Sequence, residues 1–107
     1  MGNWSKDLAH GQAGSIFHDG TGAITPPSGT VFVAIHCMNG VTFDASGGLV
    51  AADSAKFINT EAASSGGGGT GGAQIDADNE FSTGTILYGR WTSINLTGGT
   101  IIAYVGV

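Results

Sequence analysis

Charge is what this chain has least of. Charged side chains make up 10% of its 107 residues, against about 25% in an ordinary soluble domain. Only Lys6, Lys56 and Arg90 are basic, and the net charge is -5. Following a phosphate backbone takes clustered Lys and Arg, so the composition argues against a nucleic-acid partner. Cysteine is nearly absent too: Cys37 stands alone, which excludes a disulfide within the chain. It lies in the strand-like run VFVAIHCM, where a buried, inert thiol is expected. No stretch approaches the roughly 20 apolar residues of a membrane span, so no membrane partner is expected. The opening residues MGNWSKDLAHG lack a signal peptide's apolar core. Myristoylation wants Ser or Thr at position 6, where this chain has Lys6. Asn3-Trp4-Ser5 and Asn95-Leu96-Thr97 match the glycosylation triplet, which carries weight only on a secretory route.

Catalytic parts are missing in the same way. His10, His18 and His36 are scattered and have one cysteine for company, whereas zinc needs three or four ligands at recognisable spacing. His36 and Cys37 are adjacent in a strand, so they point to opposite faces and form no dyad. Asp76, Asp78 and Glu80 alternate loosely like a calcium loop, without the Gly and the closing Glu of an EF-hand. A solvated acidic loop is the simpler expectation. The run SSGGGGTGG is followed by Ala73-Gln74 instead of the Lys-Ser/Thr of a phosphate loop. With no nucleophile, base and orienting group to assemble, the chain reads as a non-enzyme with no cofactor and no metal.

Glycine and apolar residues are abundant: Gly occurs 20 times and hydrophobic residues reach 41%. Disorder goes with low hydrophobicity and high charge, so a folded domain is expected. Its surface must be covered by Gly, Ser, Thr, Ala and Asn. A free monomer usually stays soluble through charge, so this coat suits a subunit of an assembly. The alternative is a secreted monomer with a neutral surface.

Along the chain, residues 1–28 show neither helical nor strand periodicity. They read as an extended arm that docks Trp4 and Phe17 on a neighbour, or as a frayed terminus. From Gly29 the pattern becomes that of a β-domain, residues 29–107. TVFVAIHCM puts Val31, Val33, Ile35 and Cys37 on one face and Phe32, Ala34, His36 and Met38 on the other. Both faces are largely apolar, which predicts a central strand. Asn39-Gly40 then predicts a type I′ hairpin into VTFDA. Leu49–Ala52 and Lys56–Thr60 read as short strands, with a short helix over ADSAKF as the alternative. Residues 64–72 read as a flexible Gly-rich loop. The fold class is all-β, a small sandwich or barrel of about six to eight short antiparallel strands.

The chain closes on ILYGRWTSINLTGGTIIAYVGV, which predicts a second hairpin about Gly98-Gly99. Counting from that turn puts Leu96, Ile94, Ile101, Ala103 and Val105 on a core face. Trp91, Ile102 and Tyr104 fall on the opposite face, with Trp91 across from Gly106 and Arg90 near Val107. That second face is either interface-like or the other side of a doubly buried strand, in which case the indole and phenol need internal partners. The interaction residues expected from sequence are thus Trp4, Phe17, Arg90, Trp91, Ile102 and Tyr104.

Residues 29–107, and most specifically Tyr88-Gly89-Arg90-Trp91-Thr92 followed by IIAYVG, resemble a family of small virion structural proteins of tailed bacteriophages, notably cyanophages and other marine phages. The Gly-rich insert departs from the family pattern and the arm is unmatched. The resemblance implies a virion component, most plausibly a head decoration or cement protein. It would form a homo-oligomer, a trimer, and bind the major capsid protein or another virion component. A neck or tail-fibre module that attaches to host glycans is the second expectation.

Overall fold

The structure, a computed structural model, describes residues 13–62 and 70–107. It is all-β: eight strands in one antiparallel sheet that curls without closing, and no helix among the described residues. The strands are β1 (Ser15–Asp19), β2 (Gly22–Ile24), β3 (Val31–Cys37), β4 (Val41–Phe43), β5 (Leu49–Ala51), β6 (Glu80–Phe81), β7 (Ile86–Gly98) and β8 (Thr100–Gly106).

β7 organises the molecule. Its first part runs down β3, with Ile86 opposite His36 and Trp91 opposite Phe32. β8 runs down the other side of β3 in the same direction, from Ile101 opposite Cys37 to Gly106 opposite Val31. Only Gly99 separates the end of β7 from the start of β8. The stretch after Trp91 must therefore fold back over the sheet to the end of β3 where β7 began. It can: from Thr92 to Gly98 the chain reaches roughly 23 Å at about 3.3 Å per residue, enough to cover β3. Two layers result. One is β1-β8-β3 with the start of β7. In the other, the end of β7 carries β2 on one edge and β4 and β5 on the opposite edge, with β6 outside β4. Phe32, Ile35, Phe43, Leu49, Trp91, Ile94, Leu96 and Ile101 fill the space between them.

Neither expected hairpin forms. β8 pairs with β3 and β1, and β4 pairs with β7 and β6. Asn39 and Gly40 have no positive φ, so the type I′ turn is absent. The Asn39 side chain instead accepts from the Thr100 backbone N–H (2.8 Å) and donates to Thr100 Oγ1 (3.2 Å). That pins the β3–β4 corner to the β7–β8 corner, where the chain changes layer. Gly99 is needed there twice over. Its φ is +104°, and a Cβ would lie 2.5 Å from the Gly40 carbonyl oxygen.

The arm also differs from expectation. From Ser15 onward it is part of the sheet, β1 against β8 and β2 against β7; only residues 1–12 lie outside the described residues. The same is true of most of the Gly-rich loop, residues 63–69. Lys56–Thr60 is not a strand. Lys56 and Phe57 both donate to the Asp53 carbonyl as a turn, and Asn59 and Thr60 behind it are buried. Asn59 Oδ1 accepts from the backbone of Glu61 and Ala62, while Thr60 Oγ1 accepts from Leu49 N–H. Buried hydrogen-bonding side chains thus replace strand pairing, satisfying backbone groups that burial would otherwise leave unpaired.

Candidate interaction surface

Side chains alternate across a strand, and cross-strand neighbours share a face. On the β1-β8-β3-β7 layer the registers build a ladder of outward residues. One row runs Ser15, Tyr104, Ala34, Tyr88; the next runs Phe17, Ile102, His36, Ile86. Met38 extends the patch beyond β3. Phe17 is 66% exposed, Tyr88 62%, Ile86 45% and Met38 41%. Tyr88 and Tyr104 stand on either side of Ala34, and with His36 and Ile86 they line a groove of about 220 Å³. These rows carry no carboxylate; Asp19, opposite Thr100 just beyond the Phe17 row, borders them and accepts a hydrogen bond from Thr100 Oγ1 at 2.8 Å.

The outer face of the other layer has a different chemistry. Thr92, Ser93, Asn95 and Thr97 line it along β7, with Thr42 beside them on β4. The hydroxyls bond to each other and to the backbone: Thr42 Oγ1 lies 2.6 Å from Thr97 Oγ1, and Thr92 Oγ1 donates to the Val50 carbonyl at 3.3 Å. Water wets such a face readily.

Three of the residues expected from sequence come together on the apolar ladder. Phe17 and Ile102 are direct cross-strand partners, and Tyr104 is in the adjacent row. Trp4 lies outside the described residues. Arg90 does reach Val107, donating from Nη1 to its backbone oxygen at 2.9 Å, but this is half-exposed bonding at one corner of the molecule.

Trp91 is corrected. It is fully buried, and its Nε1 donates to the Ile58 carbonyl at 2.8 Å, so its indole is core and unavailable to a partner. A β-bulge explains the error. Opposite Val50 and Ala51, β7 advances from Ser93 to Trp91, two residues against one. The extra residue turns Trp91 to the inside with Ile94 and Leu96, which strict alternation cannot do. The glycine beneath the indole is Gly89, not Gly106: a Cβ there would sit 2.6 Å from the Trp91 ring. A second bulge, between Phe32 and Ala34, brings Phe32 inside with Ile35 and Cys37.

Ile86, Tyr88, Ala34 and His36 were missed as members of the surface. Tyr88 and Ile86 precede the bulge, where alternation runs regularly, so an Ile-x-Tyr pattern on the outward register was available as a signal.

The remaining chemistry is structural. Burial pushes the Cys37 thiol above its ordinary range, disfavouring the reactive thiolate. Asp76 and Asn79 close their own turn: Asp76 Oδ1 accepts from Asp78 N–H and Asn79 Oδ1 from Asp76 N–H, both at 2.9 Å. Among the described residues no three His, Cys, Asp or Glu side chains gather into a metal-binding group, and no helix is long and apolar enough to cross a membrane. Comparison of the chain with protein-family models, with curated proteins and with solved structures gives no match.

Proposed function

We propose that this is a non-enzymatic structural subunit of a phage particle, a head decoration protein that self-associates and binds the capsid through the outer face of its β1-β8-β3-β7 layer. The observation that carries the reading is the outward ladder in which Phe17, Ile86 and Tyr88 are exposed and Ile102 and Tyr104 are half-buried between them, with a single carboxylate at its border. The particle itself comes from the resemblance of residues 29–107.

Magnitudes favour repeated contacts over one strong one. Four strands at about 4.8 Å and two rows at about 7 Å give a patch of roughly 250 Å². At about 25 cal/mol per Å², covering it contributes roughly 6 kcal/mol from this side. Association costs about 4–15 kcal/mol in lost freedom, so one such contact would hold weakly. Several copies joined in a homo-oligomer would bind a lattice of identical sites through effective concentration. A trimer is one stoichiometry that meets this need.

Purified protein mixed with capsids lacking it is expected to fill a regular set of sites at near-saturating occupancy, counted by quantitative mass spectrometry of the washed particles. Capsids that take up none would sink the assignment. The two tyrosines flanking Ala34 favour a second reading, a neck or tail-fibre module that stacks a sugar ring in this groove. Binding on a glycan array with no uptake by capsids would select it.

A further inference from the structure

We propose that two copies of the chain pair through the outer edges of their β1 strands, antiparallel and centred on Phe17. This rests on the self-association proposed above and names its contact. β1 has β8 on one side and, among the described residues, nothing on the other. Natural proteins protect such edges with shortness, Pro, charged side chains, above all Lys, or a bulge. SIFHD carries no Pro or Lys, its one charge, Asp19, stands at its end, and its five-residue register with β8 is unbroken.

The backbone fixes which groups are available. Val105 N–H donates to the Gly14 carbonyl, and Gly20 N–H to the Gly99 carbonyl. In an antiparallel ladder alternate residues bond the same neighbour, so residues 14, 16, 18 and 20 turn their polar groups toward β8. Ser15, Phe17 and Asp19 turn theirs toward the outer edge. A two-fold axis at Phe17 places Phe17 opposite its counterpart and Ser15 opposite the second copy's Asp19. All three edge residues of each strand then exchange both backbone bonds.

The side chains suit the same register. Phenylalanine meets phenylalanine, a favourable cross-strand pair, and each Ser15 hydroxyl faces a carboxylate it can donate to. Centring the axis on Asp19 would set like charges opposite each other. Centring it on Ser15 would leave Phe17 and Asp19 outside the five-residue overlap. The Phe17 register also joins the two apolar ladders edge to edge, Ile102 and Phe17 of one copy running on into those of the next.

Cysteine cross-linking with sedimentation velocity tests this. Directly opposed residues in such a pair lie about 5.5 Å apart at Cα, within disulfide reach. Phe17→Cys alone is expected to oxidise to a covalent dimer, as is a mixture of Ser15→Cys and Asp19→Cys. Asp19→Cys with itself, roughly 14 Å apart at about 3.4 Å per residue, is expected to stay unlinked. Cys37 is buried and does not compete. Cross-linking of Asp19→Cys with itself as readily as with Ser15→Cys, or a trimer without the Phe17 link, overturns the pairing and leaves self-association standing. A single-chain mass at every concentration overturns both.

Discussion

The two outer faces of this molecule cover the same core and are made from the same strand, yet they differ in kind. Along the second part of β7 the outward residues are Thr92, Ser93, Asn95 and Thr97, hydroxyl and amide groups, with the threonines bonded to a neighbouring hydroxyl or to the backbone. Along the first part they are Ile86 and Tyr88, continuing into Ile102, Tyr104 and Phe17 on neighbouring strands. Folding needs only the inward residues of either half. The polar face shows that this sequence can dress a strand for water, and the contact with another surface proposed above is a reading of why the other half is dressed differently.

The first way to break the comparison is to test whether inside and outside are divided as described. Trp91 and Tyr88 are neighbouring aromatics on β7, one buried and hydrogen-bonded, the other exposed. Trp91→Ala is expected to lower stability by about 3–5 kcal/mol and Tyr88→Ala by no more than about 0.5 kcal/mol, read from urea melts. Equal losses would mean that the bulge is misplaced. Next in size is Gly89→Ala, which forces a methyl against the buried indole and is expected to cost about 1–3 kcal/mol. A neutral result there would show that Trp91 has another rotamer to occupy. A small effect is also expected of Arg90→Ala. Its bond to Val107 is exposed, so a change below about 1 kcal/mol is expected; a larger one in the same melts would give that corner a structural weight the comparison denies it.

How legible this was in the sequence depended on regularity. β8 alternates without interruption, and Ile101, Ala103 and Val105 inside with Ile102 and Tyr104 outside were assigned correctly from the count alone. β7 looked equally regular, but Trp91 sits beyond a bulge, and nothing in GRWTS announces that an extra residue is accommodated there. The glycine-marked corners misled for a related reason. Asn39-Gly40 and Gly98-Gly99 have hairpin chemistry, yet β3 lies between β7 and β8, a non-local pairing that turn residues do not encode. β1 and β2 escaped notice because glycines punctuate them and their strand character comes from β8 and β7, far along the chain. The apolar surface was half visible: Phe17, Ile102 and Tyr104 were named, while Ile86, Tyr88 and His36 became neighbours only through the register of three strands.

The most direct test of the apolar face sets one charge on each outer face of the same strand. Tyr88→Asp and Thr97→Asp both add a carboxylate at an exposed position of β7 and both are expected to melt within a few degrees of the parent. Binding to capsids lacking the protein is then measured side by side. Thr97→Asp is expected to bind like the parent and Tyr88→Asp at least tenfold more weakly. Equal binding by the two variants, or a greater loss from Thr97→Asp, would contradict the assignment of the β1-β8-β3-β7 face as the interaction surface.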